Sequence, residues 1–508
     1  MGILDWIKVG EVAAESDDNL HLYFYDTGVS REIITSNNKF LMLGRKGAGK
    51  TAVYQHLINP ANNSFGEKDI VVPLSVNSYS WNAHSLLANR EKAAGFEQKD
   101  SWRFVLAVES VNTYIKHLRN NGKVVSKELS KVEEILEKIF SSPTPSWFDI
   151  LGEKLYKLSK IQLPSFDIST AEGVNVDVGN VSFEDISKDD KLIYALKKNI
   201  DGLTLYLERI LKKELHDIRI FLLFDRLDEG WVESSHSSCQ EIISGLIHAS
   251  DYFTREFGGK VRPVVFLRED IFLSLSINDK NKLLEDFGKT LSWTQDTLEK
   301  MLLKRINFYA KASSSSAVDN LDSIFDRVEM RSRNRPKNYI ISRTFYRPRD
   351  LICFMKRIIE MMREESQDYE EINELGTLRA EDVYSAEPGY SEWLLSELRD
   401  EWMVQKPELF EHISIIQNIG YSIFSKESFL EKACTSSENM SLYEAREMLK
   451  FMFNSSVIGF KKADNKWRFK CNRPSQGFQD EDVYKVHPGL IRTLGLTESS
   501  EDMTSSQI

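Results

Sequence analysis

The feature that most constrains this chain is a glycine-rich loop between a predicted strand and a predicted helix. The loop fits the phosphate-binding pattern G-x-x-x-x-G-K-[S/T] without a mismatch, and it reads Gly44-Arg45-Lys46-Gly47-Ala48-Gly49-Lys50-Thr51. The apolar run at residues 40–43 before it is typical of a buried strand. Residues 52–58 follow a helical pattern that stops before Pro60. Strand, loop and helix in this order predict a phosphate site on an α/β core.

Each residue type in this loop has a physical role at a phosphate. Glycines let backbone N–H groups turn toward the anion, and the helix N-terminus adds partial positive charge. We expect Lys50 to reach the β- and γ-phosphates of ATP and Thr51 to offer its hydroxyl to Mg²⁺. The residues predicted here to bind nucleotide are Gly44, Arg45, Lys46, Gly47, Ala48, Gly49, Lys50, Thr51 and Ala52.

A second acidic motif follows a later buried strand. The apolar run at residues 220–224 ends in Asp225, which predicts a carboxylate at the carboxyl end of a strand, where open α/β sheets bind ligands. We expect Asp225 to hold Mg²⁺, usually through water. Asp228 and Glu229 follow on the same turn and are candidates to orient or deprotonate the attacking water. The sequence leaves open which of the two acts.

A further strand is predicted at residues 262–267, and it ends in Arg268. A basic residue at such a strand end lies beside the γ-phosphate in many P-loop sheets. Arg268 is therefore a candidate γ-phosphate sensor. The alternative is an arginine that pairs with Glu269 or Asp270.

Basic residues cluster at positions 331–349, just before a predicted helix that begins at Pro348. Three interpretations stay open for this segment: a solvated basic face, a contact with nucleic acid, or a helical lid from which Arg347 or Arg349 reaches the nucleotide. The guanidinium fork pairs well with phosphate oxygens, so clustered arginines favour a phosphate of some kind.

The last hundred residues predict a separate module with a winged-helix order of two helices followed by a hairpin. A DNA-reading module would need a basic second helix. Here Glu444 and Glu447 balance Arg446 and Lys450, while the hairpin is basic. This charge pattern favours a protein contact or a structural role over DNA reading.

The predicted fold class is α/β: a P-loop NTPase core with a parallel sheet, a helical insertion, a helical lid and a C-terminal winged-helix module. The predicted domains are a lead-in at 1–38, an ATPase core at 39–310 with an insertion at about 85–200, a lid at 311–400, a winged-helix-like domain at 401–496 and a disordered tail at 497–508. The aromatic lead-in is expected to pack on the nucleotide core.

Composition excludes several classes of protein. With 66 basic and 77 acidic residues the net charge is −11, so the overall field does not attract nucleic acid or an anionic membrane. The four cysteines are far apart and show no zinc spacing, which predicts a reducing, cytoplasmic compartment. No stretch approaches the ~20 apolar residues of a membrane span. The N-terminus lacks the pattern of a secretion signal.

These motifs together resemble the P-loop ATPases near the STAND and KAP groups of the AAA+ class. The resemblance rests on the loop at Gly44–Thr51, the acidic turn at 225–229, the strand end at 267–270, the segment at 347–350 and the terminal helix–helix–hairpin order. It implies an ATP-dependent switch that assembles as a homo-oligomer or controls a protein effector, as in bacterial defence against phages. A DNA-binding ATPase with the layout of origin-recognition proteins is the alternative.

One residue departs from the pattern of many AAA+ ATPases. The position after the Mg²⁺-binding Asp, where those enzymes carry a catalytic Glu, holds Arg226. Hydrolysis is then expected to be slow, or to depend on Asp228 or Glu229. The residues expected to act in catalysis are Lys50, Asp228, Glu229 and Arg268. Slow turnover suits a switch better than a motor.

Overall fold

The computed structural model describes residues 2–61, 64–75, 84, 87, 98–160, 189–229, 236–403, 406–436, 441–462 and 464–498. The chain divides into two compact units. The sheet unit comprises Gly28–Arg45 and Lys50–Leu291, and the helical unit comprises Met1–Thr27, Lys46–Gly49 and Ser292–Ile508. The ends of the glycine-rich loop therefore group with the sheet unit, whereas its four-residue tip, Lys46–Gly49, groups with the helical unit.

Nine strands and seventeen α-helices are described here in chain order. The strands are β1 (Leu41–Gly44), β2 (Asp69–Ser75), β3 (Arg219–Asp225), β4 (Val261–Arg268), β5 (Gly288–Thr290), β6 (Ile423–Ser425), β7 (Ile458–Lys461), β8 (Trp467–Phe469) and β9 (Val483–Val486). The helices are α1 (Leu20–Tyr23), α2 (Val29–Thr35), α3 (Lys50–Ile58), α4 (Lys99–Asn120), α5 (Lys127–Phe140), α6 (Trp147–Ile150), α7 (Asp190–Glu214), α8 (His236–Glu256), α9 (Glu269–Ser274), α10 (Lys280–Phe287), α11 (Gln295–Ala312), α12 (Pro336–Ser342), α13 (Pro348–Asp368), α14 (Ala380–Trp402), α15 (Leu409–Ile419), α16 (Lys426–Ser436) and α17 (Leu442–Asn454).

The sheet unit is built on a five-stranded parallel sheet with the order β2-β3-β4-β1-β5. The three strands predicted at residues 40–43, 220–224 and 262–267 are all present, and the α/β class with a parallel sheet is confirmed. β1 lies between β4 and β5, with Leu43 opposite Leu267 in β4 and opposite Thr290 in β5. β5 is a short edge strand that the sequence pattern did not predict.

The two prolines within the strands lie where the sheet tolerates them. Pro73 is in β2, an edge strand, where a missing N–H costs no ladder bond on the open side. Pro263 is in the central strand β4, opposite Leu222 of β3. The N–H of Val265 donates to the carbonyl of Phe40, on the β1 side of β4. Since N–H groups two residues apart face the same side, the N–H that Pro263 lacks would also face β1. Pairing with β1 begins only at Val265, so no ladder bond is lost at Pro263.

The described part of the predicted insertion contains the long helices α4 and α5, the short helix α6 and the beginning of the long helix α7. In α5 the buried residues recur three and four apart, at Leu129, Val132, Leu136 and Ile139. The N-cap of α5 is Ser126, whose hydroxyl accepts from the N–H of Leu129 at 3.2 Å. Residues 161–188 of this insertion lie outside the described part of the chain.

The N-terminal residues belong to the helical unit. Tyr23 of α1 packs edge-on against Phe308 of α11 and donates a hydrogen bond to Asp17. Arg305 of α11 donates to Asp17 at 3.0 Å and to the carbonyl of Val9 at 2.9 Å. The lead-in is thus held on α11 by buried polar bonds. Its expected packing on the nucleotide core stays a prediction.

The C-terminal part of the helical unit contains α15–α17 and a four-stranded antiparallel sheet with the order β6-β9-β7-β8. The predicted order of two helices and a hairpin is present in α16, α17, β7 and β8. Strands β6 and β9 extend that hairpin and were not predicted. The five domain boundaries and the winged-helix assignment stay predictions, and residues 499–508 of the predicted tail lie outside the described part.

None of the described helices combines the length and apolar character that crossing a membrane requires.

Candidate nucleotide site

The glycine-rich loop leaves the end of β1 and enters α3 directly. Within it, Gly47 has φ of +79° and Gly49 has φ of +98°. This left-handed region is costly for residues with a side chain, so both positions favour glycine. Ala48 between them is buried. Two left-handed glycines within three residues let successive backbone N–H groups point to one side, which is how such a loop makes a concave site for an anion.

Lys50 is the first residue of α3, and its ammonium folds back over the start of the loop. Its Nζ donates to the carbonyls of Gly44 at 3.1 Å and Arg45 at 3.2 Å. Burial lowers the pKa of Lys50, while the negative charges of Asp228 and Asp225 act in the opposite direction. A buried ammonium beside two carboxylates and a loop of N–H groups is suited to a phosphate, whose charge would stabilise its protonated form.

Asp225 stands at the carboxyl end of β3, next to Thr51 of α3. Its carboxylate accepts a hydrogen bond from the Thr51 hydroxyl, and burial raises its pKa to about 6. Asp225 is 2% exposed, and its Oδ2 has no hydrogen-bond partner among the described residues. A buried carboxylate oxygen without a donor is a strong acceptor that lacks its ligand.

These two residues fit Mg²⁺ by the chemistry of their oxygen atoms. Mg²⁺ in phosphate sites is held by one or two protein oxygens, with substrate phosphates and water as the other ligands. Thr51 and Asp225 supply a hydroxyl and a carboxylate. Among the described residues, no group of three His, Cys, Asp or Glu side chains forms a metal cluster.

The acidic turn after β3 separates its two candidate carboxylates. Arg226 has φ of +62°, an uncommon conformation for a residue with a side chain. Its Nη1 lies 3.4 Å from Glu229 Oε1, and Glu229 is 49% exposed. Asp228 instead lies 3.7 Å from Arg268 Nη1, and its charge is the strongest carboxylate influence on Lys50. Asp228 thus faces the lysine, whereas Glu229 is held by Arg226.

Arg268 ends β4 and pairs with an acid two residues later. Its Nη2 and Nε donate to the carboxylate of Asp270 at 2.7 and 3.1 Å. The pairing with Asp270 is thus present, as one interpretation predicted. Arg268 is also close enough to Lys50 for its positive charge to lower the pKa of that lysine. Arg268 therefore both pairs with Asp270 and lies near the lysine of the loop.

Within the helical unit, the loop tip contacts the N-terminus of α13. Arg347 donates from Nη1 to the carbonyl of Lys46 at 3.0 Å, and the N–H of Arg349 lies 3.4 Å from the carbonyl of Gly47. A Cβ placed on Gly47 would lie 3.1 Å from the Cβ of Arg349, so this close approach also favours glycine. Trp293 donates to the carbonyl of Ala48 at 2.9 Å.

The basic segment at 331–349 is not one surface. Arg343 and Arg347 are buried, and each is neutralised by carboxylates: Arg343 by Glu387, and Arg347 by Asp350 and Glu401. The interpretation as a solvated face is therefore wrong for these two arginines. The three arginines that are exposed are Arg331, Arg333 and Arg335.

Sequence reasoning missed the acids that surround the loop tip. Lys46 pairs with Asp400 at 3.1 Å and with Glu397 at 3.5 Å, both in α14. Glu401 of the same helix binds Arg347. Their spacing of three and four residues places them on one helix face, and that regularity was a signal in the sequence. The roles assigned to all the predicted site residues stay predictions.

Comparisons with known proteins give a partial picture. Residues 296–399 match the family model described as the FunZ-associated C-terminal helical domain. Over nearly the whole chain, an 80.3 kDa Escherichia coli (strain K12) protein attributed to the transposon gamma-delta is 23% identical, with 97% of this chain and 67% of that protein covered.

Among solved structures, the chain is similar to Cdc6p from Pyrobaculum aerophilum, with a TM-score of 0.31, 12% identity and coverage of 94% of this chain and 96% of that chain. It is similar to Aeropyrum pernix ORC1 in complex with DNA, with a TM-score of 0.32, 12% identity and coverage of 90% and 86%. Drosophila ORC bound to DNA gives a TM-score of 0.29, 10% identity and coverage of 96% and 87%. Scores this low support no argument about activity or partners.

Proposed function

We propose that this chain binds ATP with Mg²⁺ at Gly44–Thr51 and uses the bound nucleotide as a switch. The observation that carries the proposal is the carboxylate of Asp225, buried beside Thr51 with one oxygen lacking a partner among the described residues. Lys50 lies near the same carboxylate. In the proposed complex Lys50 binds phosphate, Thr51 and Asp225 hold Mg²⁺, and the cation neutralises charge that develops on the phosphates.

Hydrolysis is proposed to be slow and to depend on Asp228. Arg226 occupies the place of a catalytic Glu, and it cannot accept a proton. Asp228 lies toward Lys50, whereas Glu229 is half exposed and paired with Arg226. Asp228 is therefore the better candidate to orient water. Arg268 is proposed to contact the γ-phosphate because it lies close enough to Lys50 for its charge to lower the pKa of that lysine. Arg347 and Arg349 are proposed to act from the loop tip.

The partner of the switch is proposed from the sequence resemblance. In the STAND and KAP groups, nucleotide state governs homo-oligomer assembly or an effector protein, and bacterial members act against phages. The same role in the cytoplasm is proposed for this chain. The match to a FunZ-associated C-terminal helical domain at 296–399 is compatible with a helical region that follows the nucleotide core in sequence. The predicted lid at 311–400 falls largely within that match.

Asp225→Asn tests the metal site. We expect Mg²⁺ to strengthen ATP binding by the wild type. In the variant this strengthening should be smaller by a factor of about 10 to 100, the usual loss of metal affinity when a group that supports the metal is replaced. Asp217→Asn is the matched control, because Asp217 is an exposed acid near the other end of β3 that pairs with Lys68. Calorimetric titration with and without Mg²⁺ measures the difference. An equal effect of Mg²⁺ on both variants would remove Asp225 from the site.

A DNA-binding ATPase is the second candidate, and one observation favours it. The ammonium groups of Lys461 and Lys485 both lie 5.5 Å from the ring centre of Trp467 on the C-terminal sheet. Cations around an aromatic ring are typical of nucleic-acid surfaces. The attribution of the Escherichia coli relative to a transposon is compatible with this candidate. The second helix of the module argues against it, since Arg446 pairs with Asp480 and Lys450 with Glu447.

A salt titration separates the two candidates. With the switch as the main function, we expect duplex DNA to bind no tighter than about 1 μM at physiological salt, which is the non-specific range. Fluorescence anisotropy at several salt concentrations measures the affinity and its slope. Nanomolar binding with a steep salt slope would favour the DNA-binding ATPase instead. The slope of log affinity against log salt should then fall by about two in the double variant Lys461→Ala/Lys485→Ala.

A further inference from the structure

Three carboxylates on one face of α14 surround the tip of the glycine-rich loop. We call Glu397, Asp400 and Glu401 the acidic face. Glu397 Oε2 lies 3.5 Å from Lys46 Nζ and 3.4 Å from Arg349 Nη1. Asp400 lies 3.1 Å from Lys46 Nζ, and Glu401 lies 2.9 Å from Arg347 Nη1. Every one of these contacts lies within the helical unit.

The cations held by the acidic face are those nearest to the loop backbone. Lys46 is in the loop, Arg347 donates to its carbonyl, and Arg349 is the closest neighbour of Gly47. Arg347 is 2% exposed, yet its Nη2 has no hydrogen-bond partner among the described residues. A buried guanidinium nitrogen without an acceptor, on a group that already binds the loop, indicates that an acceptor is missing here.

The pairs of the acidic face differ in strength. Arg347 is enclosed with Asp350 and Glu401, both buried, so this cluster is a fixed part of the core. Lys46 and Arg349 are only partly buried, at 20% and 29% side-chain exposure, and their distances to Glu397 are long for ion pairs. Asp400 is 64% exposed, so its pair with Lys46 is open to solvent and screened. Glu397 and Asp400 can therefore exchange for a stronger anion more readily than the buried acids around Arg347 can.

A nucleotide in the loop would be that stronger anion. Phosphate oxygens and carboxylate oxygens accept from the same donors of lysine and arginine, so the two anions compete. Phosphate also carries more charge, and like charges close together repel. The same N–H donors of the loop-tip cations cannot bind a triphosphate and the acids of α14 at the same time.

We propose that Glu397 and Asp400 occupy the loop-tip cations in the nucleotide-free chain, and that nucleotide phosphate displaces these two carboxylates while Glu401 stays bound to Arg347. This inference rests on the proposed binding of ATP at the loop. Two residues beyond Asp400, the ring of Trp402 packs edge-on against Phe451 of α17 at 5.1 Å. The exchange of carboxylate for phosphate thus acts on the helix that contacts the C-terminal module.

Glu397→Gln tests the exchange, because it removes the competing charge and keeps the shape of the side chain. We expect the full-length variant to bind ATP about 5- to 20-fold more tightly than the wild type, within the usual range of coupling between two states. Glu392→Gln is the matched control: Glu392 is exposed on the same helix and forms no ion pair with a described residue. Its affinity should stay within about twofold of wild type.

Calorimetry with ATP separates failure of this inference from failure of the proposed function. If the wild type binds ATP and Glu397→Gln binds it equally or more weakly, the exchange is wrong and the site stands. If neither the wild type nor Glu397→Gln binds ATP, the proposed function fails, and the exchange fails with it.

Hydrogen exchange measures this displacement in α14. In the wild type, ATP should speed amide exchange at residues 395–400 on the order of fivefold, and Glu397→Gln should show faster exchange there before ATP is added. Slower or unchanged exchange at 395–400 in saturating ATP would overturn the displacement, whatever the affinities are.

Discussion

Replacing Lys50 with alanine is expected to reduce ATP affinity by at least about 30-fold and to leave the fold intact. Removing one partner of a buried, hydrogen-bonded charge pair typically costs about 2–5 kcal/mol of binding free energy, and about 1.4 kcal/mol corresponds to tenfold in affinity. Folding should change little, because Lys50 donates only to the carbonyls of Gly44 and Arg45 among described groups and its ammonium is desolvated.

The control for this variant is Lys282→Ala. Lys282 is exposed in α10 of the same unit, so the substitution removes an identical charge at a distance from the loop. Calorimetry gives the ATP affinity of both variants, and circular dichroism with thermal melting checks that they fold. Equal affinity in Lys50→Ala and Lys282→Ala would show that Lys50 does not contact the nucleotide.

Replacing Arg347 with alanine is expected to destabilise the helical unit by about 3–5 kcal/mol, the usual cost of breaking a buried ion pair. The loss would leave the carboxylates of Asp350 and Glu401 buried without their cation. At about 2–4 °C per kcal/mol for a unit of this size, the melting temperature should fall by roughly 6–20 °C. Differential scanning calorimetry measures the shift.

The destabilisation by Arg347→Ala should be larger at neutral pH than at acid pH. Burial raises the pKa of Asp350 above its ordinary value, and Arg347 opposes this effect. Without the arginine, the folded chain holds a proton at Asp350 more strongly than the unfolded chain does. Stability is then retained at low pH and falls as pH rises from the unfolded pKa through the higher folded pKa.

Arg349→Ala serves as the control for Arg347→Ala. Arg349 is 29% exposed and lies 3.4 Å from Glu397, so its loss should cost at most about 1 kcal/mol. Equal destabilisation by the two substitutions would contradict the distinction between a buried cluster around Arg347 and a displaceable pair at Arg349.

The sheet core could be predicted because its signals are local. β1, β3 and β4 are continuous apolar runs, and β3 delivers Asp225 at its carboxyl end, where parallel strands bring ligands together. The loop follows from its glycines, two of which need left-handed backbone. The prediction of β5 failed because Gly288–Thr290 is a three-residue edge strand without an apolar pattern.

Long-range packing was beyond the reach of sequence patterns. Nothing local shows that Tyr23 and Asp17 bind Arg305, almost three hundred residues later, and so hold the lead-in on α11. Arg343 and Arg347 are a second example, because their sequence pattern was compatible with a solvated basic face. Their partners, Glu387 and Glu401, lie in a different helix and neutralise them in the core.

The candidate site was predictable only in part, because some of its contacts are local in sequence and others are long-range. Lys50, Thr51 and Asp225 follow from motif and strand order. The choice between Asp228 and Glu229 depends on the left-handed turn at Arg226. In this turn Glu229 pairs with Arg226, whereas Asp228 lies near Arg268. The acids of α14 had a regular spacing, but only the folded chain shows that they contact the loop tip.

Calorimetric titration of the full-length wild type with ATP, in the presence and absence of Mg²⁺, tests whether this chain binds ATP together with Mg²⁺. We expect saturable binding of one ATP per chain, strengthened by Mg²⁺ because Thr51 and Asp225 supply its oxygen ligands. Absence of saturable ATP binding, or binding that Mg²⁺ leaves unchanged, would contradict it.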